Sequence, residues 1–282
     1  MKKRFLLLCS MLTFVLSTLT VQPAWSAFSA HKMAQVRVDS LEFKHIMRAL
    51  YAGKMVQYYV DDDDLTAYPH IGLTENFDDG KTLALMHPVV TYQNHQGQTR
   101  HLVVIEKVAI NDDGNLISGH VGYAKADLYI FKQVAGGYQL VSKSNKDDEF
   151  TGSWGRLNLD LTIVAKNIQP LGKNLTGSLI DNGYCSTGSC EMWWEALFLA
   201  ENDYVRTVFV AEAGGNNAGM YEEGSPLSYD FDSTFKVVND GSSYYPIAIH
   251  YTGEKPDDVY EHIKPINREQ IFRFSPTENQ YQ

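Results

Sequence analysis

Leu102-Val103-Val104-Ile105-Glu106-Lys107-Val108-Ala109-Ile110, followed by Asn111-Asp112-Asp113-Gly114-Asn115 and then by Leu116 to Tyr123, decides how the chain is read. An apolar, β-branched run, a cluster of turn formers containing Asp-Gly and a second apolar run spell strand, turn and strand. The same grammar continues at once. Leu128 to Lys132 leads through the Gly136-Gly137 turn into Tyr138 to Val141, and glycines there supply the positive φ that tight hairpins need.

Working outward, further strands are predicted at Leu157 to Val164, Trp193 to Ala200, Val205 to Val210, Phe235 to Val238, Tyr245 to Tyr251 and Gln270 to Phe274. One helix precedes them, over Ser40 to Ala52. Asp39 is its predicted N-cap and Glu42 completes a capping box; Phe43, Ile46, Met47 and Leu50 form an apolar stripe, and Gly53 supplies the stop. The expected fold is mostly β: an antiparallel sandwich, barrel or propeller-like arrangement with one N-terminal helix. A faint echo between Ile130-Phe131-Lys132 and Ile271-Phe272-Arg273, each followed by a turn and a Tyr-Gln pair, is what keeps the propeller among the alternatives.

The N-terminus reads as an export leader. Lys2, Lys3 and Arg4 precede an uncharged apolar stretch from Phe5 to Leu16, and Ala24 and Ser26 are spaced as the −3 and −1 positions of a cleavage site. Ser17, Thr18, Thr20 and Gln22 interrupt the stretch before it reaches bilayer-spanning length, so a cleaved signal over residues 1–26 is expected, with residues 27–282 as a single β-rich domain or two subdomains. Cys9 lies inside the apolar stretch, too early to carry a lipid at a mature terminus. The location that follows is periplasmic or secreted, without stable membrane insertion.

Without that leader the balance is 21 Lys+Arg (24 minus 3) against 34 Asp+Glu, a net charge of −13. A surface so acidic repels nucleic acid and attracts basic partners. Cys185 and Cys190 remain as an even pair across Ser186-Thr187-Gly188-Ser189, and in an oxidising compartment they are expected to form a disulfide that pins a hairpin tip. The CxxC spacing of redox enzymes is absent.

Chemistry-bearing patterns are sparse. Asp61-Asp62-Asp63-Asp64 lacks the alternating ligand positions and the glycine of a calcium loop, and reads as an acidic turn. His70, His87, His95 and His101 match no zinc spacing, so no metal is assigned. Ser233-Thr234-Phe235-Lys236 is an SxxK string on a predicted strand, where Ser and Lys face opposite sides; no GxSxG, SDN or KTG accompanies it, and no catalytic residue is assigned. No phosphate-cradling glycine loop is present, and no cofactor is expected.

Aromatic residues are more suggestive, with 17 Tyr, 13 Phe and 4 Trp. Neighbours on a strand face opposite sides, so one of Trp193 and Trp194 should enter the core while the other stays available beside the pinned loop. Trp193, Trp194, Tyr184 and, from the long loop expected over Gly214 to Ser228, Asn216 and Asn217 form the candidate binding surface. The expected role is a non-enzymatic protein-binding domain, such as an inhibitor or immunity protein, with a basic exported protein as partner. The alternatives are a cell-envelope glycan-binding module stacking sugars on Trp193 or Trp194, and a hydrolase whose carboxylate pair no sequence pattern reveals.

Overall fold

Thr99–Ile110 is buried along nearly its whole length on both faces, as its unbroken apolar run requires. In the computed structural model, which describes residues 28–77, 80–119, 122–146, 148–222, 224–257 and 262–282, this strand is the spine of a sheet. From edge to edge that sheet runs Arg37–Val38, Gly137–Lys143, Gly122–Val134, Thr99–Ile110, Gly80–Met86, His70–Phe77 and Met55–Val56, each strand antiparallel to the next. Val90–Gln93 pairs with the start of the spine, and Phe150–Ser153 joins Gly122–Val134 to Arg156–Leu157.

The second sheet is a seven-stranded antiparallel meander in chain order: Gln169–Gly172, Leu175–Ser186, Ser189–Phe198, Arg206–Asn216, Asp230–Val237, Ile247–Pro256 and Ile263–Phe272. It curls into a half-barrel whose hollow holds Phe198, Val210, Ile249 and Tyr281, the last from the small ribbon of Phe274–Ser275 and Gln280–Tyr281. The two echoing segments occupy unlike places, one inside the first sheet and one at the edge of the second and in that ribbon, so no blade repeats.

Alternation along the spine divides the core. Leu102 and Val104 face the second sheet, where they join Leu128, Ile180, Leu197 and Val205. Val103 and Ile105 point the other way, into a layer closed by Ile46, Met47 and Tyr51. Four short helices lie among the described residues: α1 (Ala30–Ala34), α2 (Phe43–Leu50), α3 (Asp63–Thr66) and α4 (Leu161–Asn167). None is long and apolar enough to cross a membrane. The leader expected over residues 1–26 lies outside the described residues.

Several local expectations are corrected. α2 starts at Phe43 with Glu42 as N-cap and no side-chain cap, because Ser40 Oγ, not Asp39, takes the Glu42 amide; its apolar stripe does pack on the sheet. Leu157 to Val164 alternates like a strand, yet only Arg156–Leu157 pairs. The Asp160 carboxylate accepts from the Thr162 and Ile163 amides at 2.7 and 3.3 Å and launches α4, which buries Val164 between the sheets. Leu116 makes one bridge to Ile110 and then leaves the ladder, its amide held by Asp62 Oδ2 at 3.2 Å; the next paired strand is Gly122–Val134. Gly214, Gly215 and Asn216 belong to a strand, not to a loop: a Cβ on Gly215 would meet the Phe231 ring at 3.2 Å, so these glycines serve close approach. The strand Leu175–Ser186 was not anticipated.

One core shared by the two sheets has a measurable consequence. Leu102→Ala on the first sheet and Leu197→Ala on the second, both fully buried, should each cost about 2–5 kcal/mol. In urea titrations both variants are expected to shift a single transition, with fluorescence and circular dichroism moving together.

Candidate functional site

The disulfide Cys185–Cys190 forms as expected. Ser189–Phe198 folds back on Leu175–Ser186 through Thr187 and Gly188, both at positive φ (49° and 86°), which places the two cysteines directly opposite each other with Cα atoms 4.0 Å apart. The tip docks on the next loop: the Gly219 amide donates to the Gly188 carbonyl at 3.0 Å, and a Cβ on Gly188 would stand 2.6 Å from the Gly219 carbonyl carbon. Gly188 is therefore needed twice, for the turn and for the contact.

The two adjacent indoles separate. Trp194 packs against the half-barrel core, its Nε1 donates to Ser233 Oγ at 2.8 Å, and its ring meets Phe235 edge-on at 5.0 Å. Trp193 is half-buried and stands edge-on to Tyr184 at 6.4 Å; its Nε1 donates to Glu195 Oε1 at 2.9 Å. Glu195 also accepts from Thr151 Oγ1 at 2.8 Å and from Asn182 Nδ2 at 2.7 Å. This buried carboxylate ties the hairpin of Phe150–Ser153 to the Trp193 strand.

Asn217 is a latch. Its side chain accepts from the Tyr229 amide at 2.9 Å and donates to the Leu227 carbonyl at 2.8 Å, closing the loop that touches the disulfide tip. Asn216 continues its strand opposite Cys190 and Asp230. Beside the tip, Tyr184, Met220 and Leu227 are exposed by 42, 54 and 44 %. Glu191 lies directly opposite Tyr184, and Asp181, Glu222 and Asp230 are also exposed, so the apolar surface has an acidic surround.

Sequence reasoning passed over Trp154, which lies 56 % exposed at the turn between Phe150–Ser153 and Arg156–Leu157. Its φ of +56° is rare for a bulky residue, and Gly155 follows it at +77°. A large apolar side chain held in that conformation at a turn tip was foreshadowed only by the Trp-Gly pair itself.

Between the sheets lies a cleft of about 660 Å³, lined by Tyr68, His87, Arg156, Asp160, Asp181 and Met192 among others. Three of its lining residues, His87, Arg156 and Leu157, are held from behind by Glu106, which is 1 % exposed. Oε1 accepts from Arg156 Nε at 3.0 Å and from the Leu157 amide at 2.6 Å; Oε2 accepts from His87 Nε2 at 2.8 Å and from Arg156 Nη2 at 3.0 Å. Burial pushes this carboxyl up, but hydrogen bonds from His87, Arg156 and Leu157, with the Arg156 charge, outweigh it and hold the group down at about 2. Both lone-pair sets are occupied, so Glu106 braces the cleft and is a poor general base.

The four histidines do not converge. His70 Nδ1 bonds to the Tyr68 carbonyl, His101 bonds to Thr91, and among the described residues no three His, Cys, Asp or Glu side chains gather into a metal site. In the aspartate run, Asp62 caps α3 through the Asp64 and Leu65 amides. Ser233 of the SxxK string donates to the Ala213 carbonyl at 2.5 Å. No family model, curated protein or solved structure matches the chain.

Glu106 makes stability depend on pH with a defined sign. A carboxyl lowered from 4.5 to about 2 on folding stabilises fully above about pH 4.5, and that contribution, on the order of 3 kcal/mol, fades as pH falls toward 2. Glu106→Gln should cost about 3–5 kcal/mol near neutral pH, because Arg156 loses its buried counter-charge. Urea midpoints measured from pH 6 downward should show the gap between wild type and variant narrowing with acidity.

Proposed function

We infer that this chain is an exported, non-enzymatic binding protein that engages a basic protein through the disulfide-pinned end of its second sheet. The observation that carries the reading is the set of exposed apolar side chains, Tyr184 at a strand end and Met220 and Leu227 on turns, on backbone that a disulfide, the Gly188–Gly219 contact and the Asn217 latch hold in place. Tyr and Trp are enriched at interface hot spots, and turns already ordered lose little entropy when a partner docks. Trp154 extends the candidate surface, because its hairpin is joined to Trp193 through Thr151 and Glu195. The acidic surround, together with the net charge of −13 (21 against 34) outside the leader, favours a cationic partner by long-range attraction.

The two buried glutamates support a binding role over hydrolysis, since Glu106 accepts four hydrogen bonds and Glu195 three. The glycan-binding alternative ranks second, because the Trp194 ring is given to the core and both indole N–H groups of the pair are engaged.

Capture from periplasmic extract at low and high salt tests the reading. Basic proteins should be retained at low salt and released at high salt, and Tyr184→Ala with Met220→Ala should weaken retention about tenfold or more, as truncation of hot spots does. Cys185→Ser with Cys190→Ser should weaken it less while leaving the fold intact, since a four-residue loop is a small constraint. Capture that ignores both salt and the Tyr184 and Met220 substitutions would overturn the proposal.

A further inference from the structure

On the helix-bearing face of the first sheet, away from the disulfide tip, lies a second cavity of about 520 Å³. Five lysines line it: Lys54, Lys107, Lys125, Lys143 and Lys146. The chain has fourteen lysines beyond Arg4, so more than a third of them meet in this one hollow of an acidic protein. Register puts them there. Lys107 and Lys125 are directly opposed across neighbouring strands, and Lys143 is opposed to Tyr129, so these groups share a face. Two ammonium groups in direct cross-strand register repel each other, which a sequence tolerates at a cost to stability.

Two acidic side chains line the cavity beside the five lysines. Lys107 Nζ lies 3.2 Å from Asp127 and 3.4 Å from Glu75, and these are the acidic side chains lining the cavity. Lys54, Lys143 and Lys146 form no ion pair among the described residues. Asp127 is further occupied by Tyr51, whose hydroxyl donates to Oδ2 at 2.5 Å while accepting from the Tyr129 hydroxyl at 3.1 Å. Burial, reinforced by Tyr129 and Asp127, raises the Tyr51 hydroxyl far above its ordinary range, so it stays a neutral donor.

Thr82 supplies an independent sign. It lines the same cavity at 1 % exposure, and its Oγ1 has no hydrogen-bond partner. A buried hydroxyl left unsatisfied is costly, and native proteins rarely keep one without something to satisfy it.

We propose that this lysine-ringed cavity binds a small phosphorylated ligand, a mono- or diphosphate group seated among Lys54, Lys107 and Lys143 with the Thr82 hydroxyl as a donor. Lysine ammonium groups act as point charges suited to phosphate, and no arginine fork for planar carboxylate lines the cavity. The volume accommodates a phosphate group with a modest organic portion. The site is separate from the protein-binding surface and does not depend on it.

Calorimetric titration of the purified protein with pyrophosphate, inorganic phosphate and citrate tests the assignment. Pyrophosphate should bind below about 1 mM and weaken with salt, and citrate should bind more weakly. Lys143→Ala should reduce pyrophosphate affinity about tenfold or more, and Thr82→Val about threefold to tenfold, with the unliganded melting temperature of Thr82→Val unchanged or raised because no intramolecular bond is lost. Lys236→Ala, on the second sheet, is the control and should bind as wild type. Vesicles containing phosphatidic acid distinguish the source: binding to vesicles alone, abolished by Lys143→Ala, assigns the phosphate to a lipid headgroup, whereas pyrophosphate binding in solution assigns it to a free ligand. No binding to any phosphate probe, equal affinity for citrate, or affinity indifferent to both Lys143→Ala and Thr82→Val would overturn the proposal.

Discussion

A strand buried on both faces has no solvent to hold a charge, yet Thr99–Ile110 carries two in succession, Glu106 and Lys107. Their neighbouring positions send them to opposite sides of the sheet. Each buried ion costs several kcal/mol unless other chain segments bring compensation, and much of the architecture is arranged around that demand. His87 and Arg156 come to Glu106 on the side of the second sheet, while Glu75 and Asp127 come to Lys107 on the side of α2. Lys107 lines one cavity, and Glu106 holds three residues that line the other. A slip of one residue in register would put each charge on the wrong side, so the pair also locks the strand in place.

The second sheet follows a different logic. Its hollow is filled mainly by its own side chains and the terminal ribbon, which leaves its outer turns free of any role in the core. Those turns are nonetheless rigid. A disulfide closes one, a glycine-to-glycine contact docks it on the next, and a single asparagine carboxamide latches that loop shut. Exposed apolar side chains on ordered backbone are the arrangement in which a surface binds at low entropic cost.

Much of the fold was legible because β structure announces itself locally. Strand runs, glycine turns and the cysteine pair each depend on residues within a few positions of one another, and period and turn chemistry are enough to read them. The failures share one cause. Leu157 to Val164 has a strand's alternation, and only the Asp160 cap, a contest between hydrogen bonds, made it a helix. Gly214-Gly215 looked like the start of a long loop because glycine permits both a loop and a close approach, and the Phe231 ring that selects the second comes from another strand.

The sites were less legible for the same reason. Glu106 and Lys107 stand in plain view as charges inside an apolar run, a signal that a partner must exist, but nothing nearby names His87, Arg156 or Asp127. The amino-acid sequence by itself determined the class of fold, the disulfide hairpin and the acidity of the surface, since each is fixed by short-range pattern or by simple counting. Only the tertiary structure decided which charges are buried, which indole faces the core and where five lysines meet, because those depend on register between strands far apart in the chain.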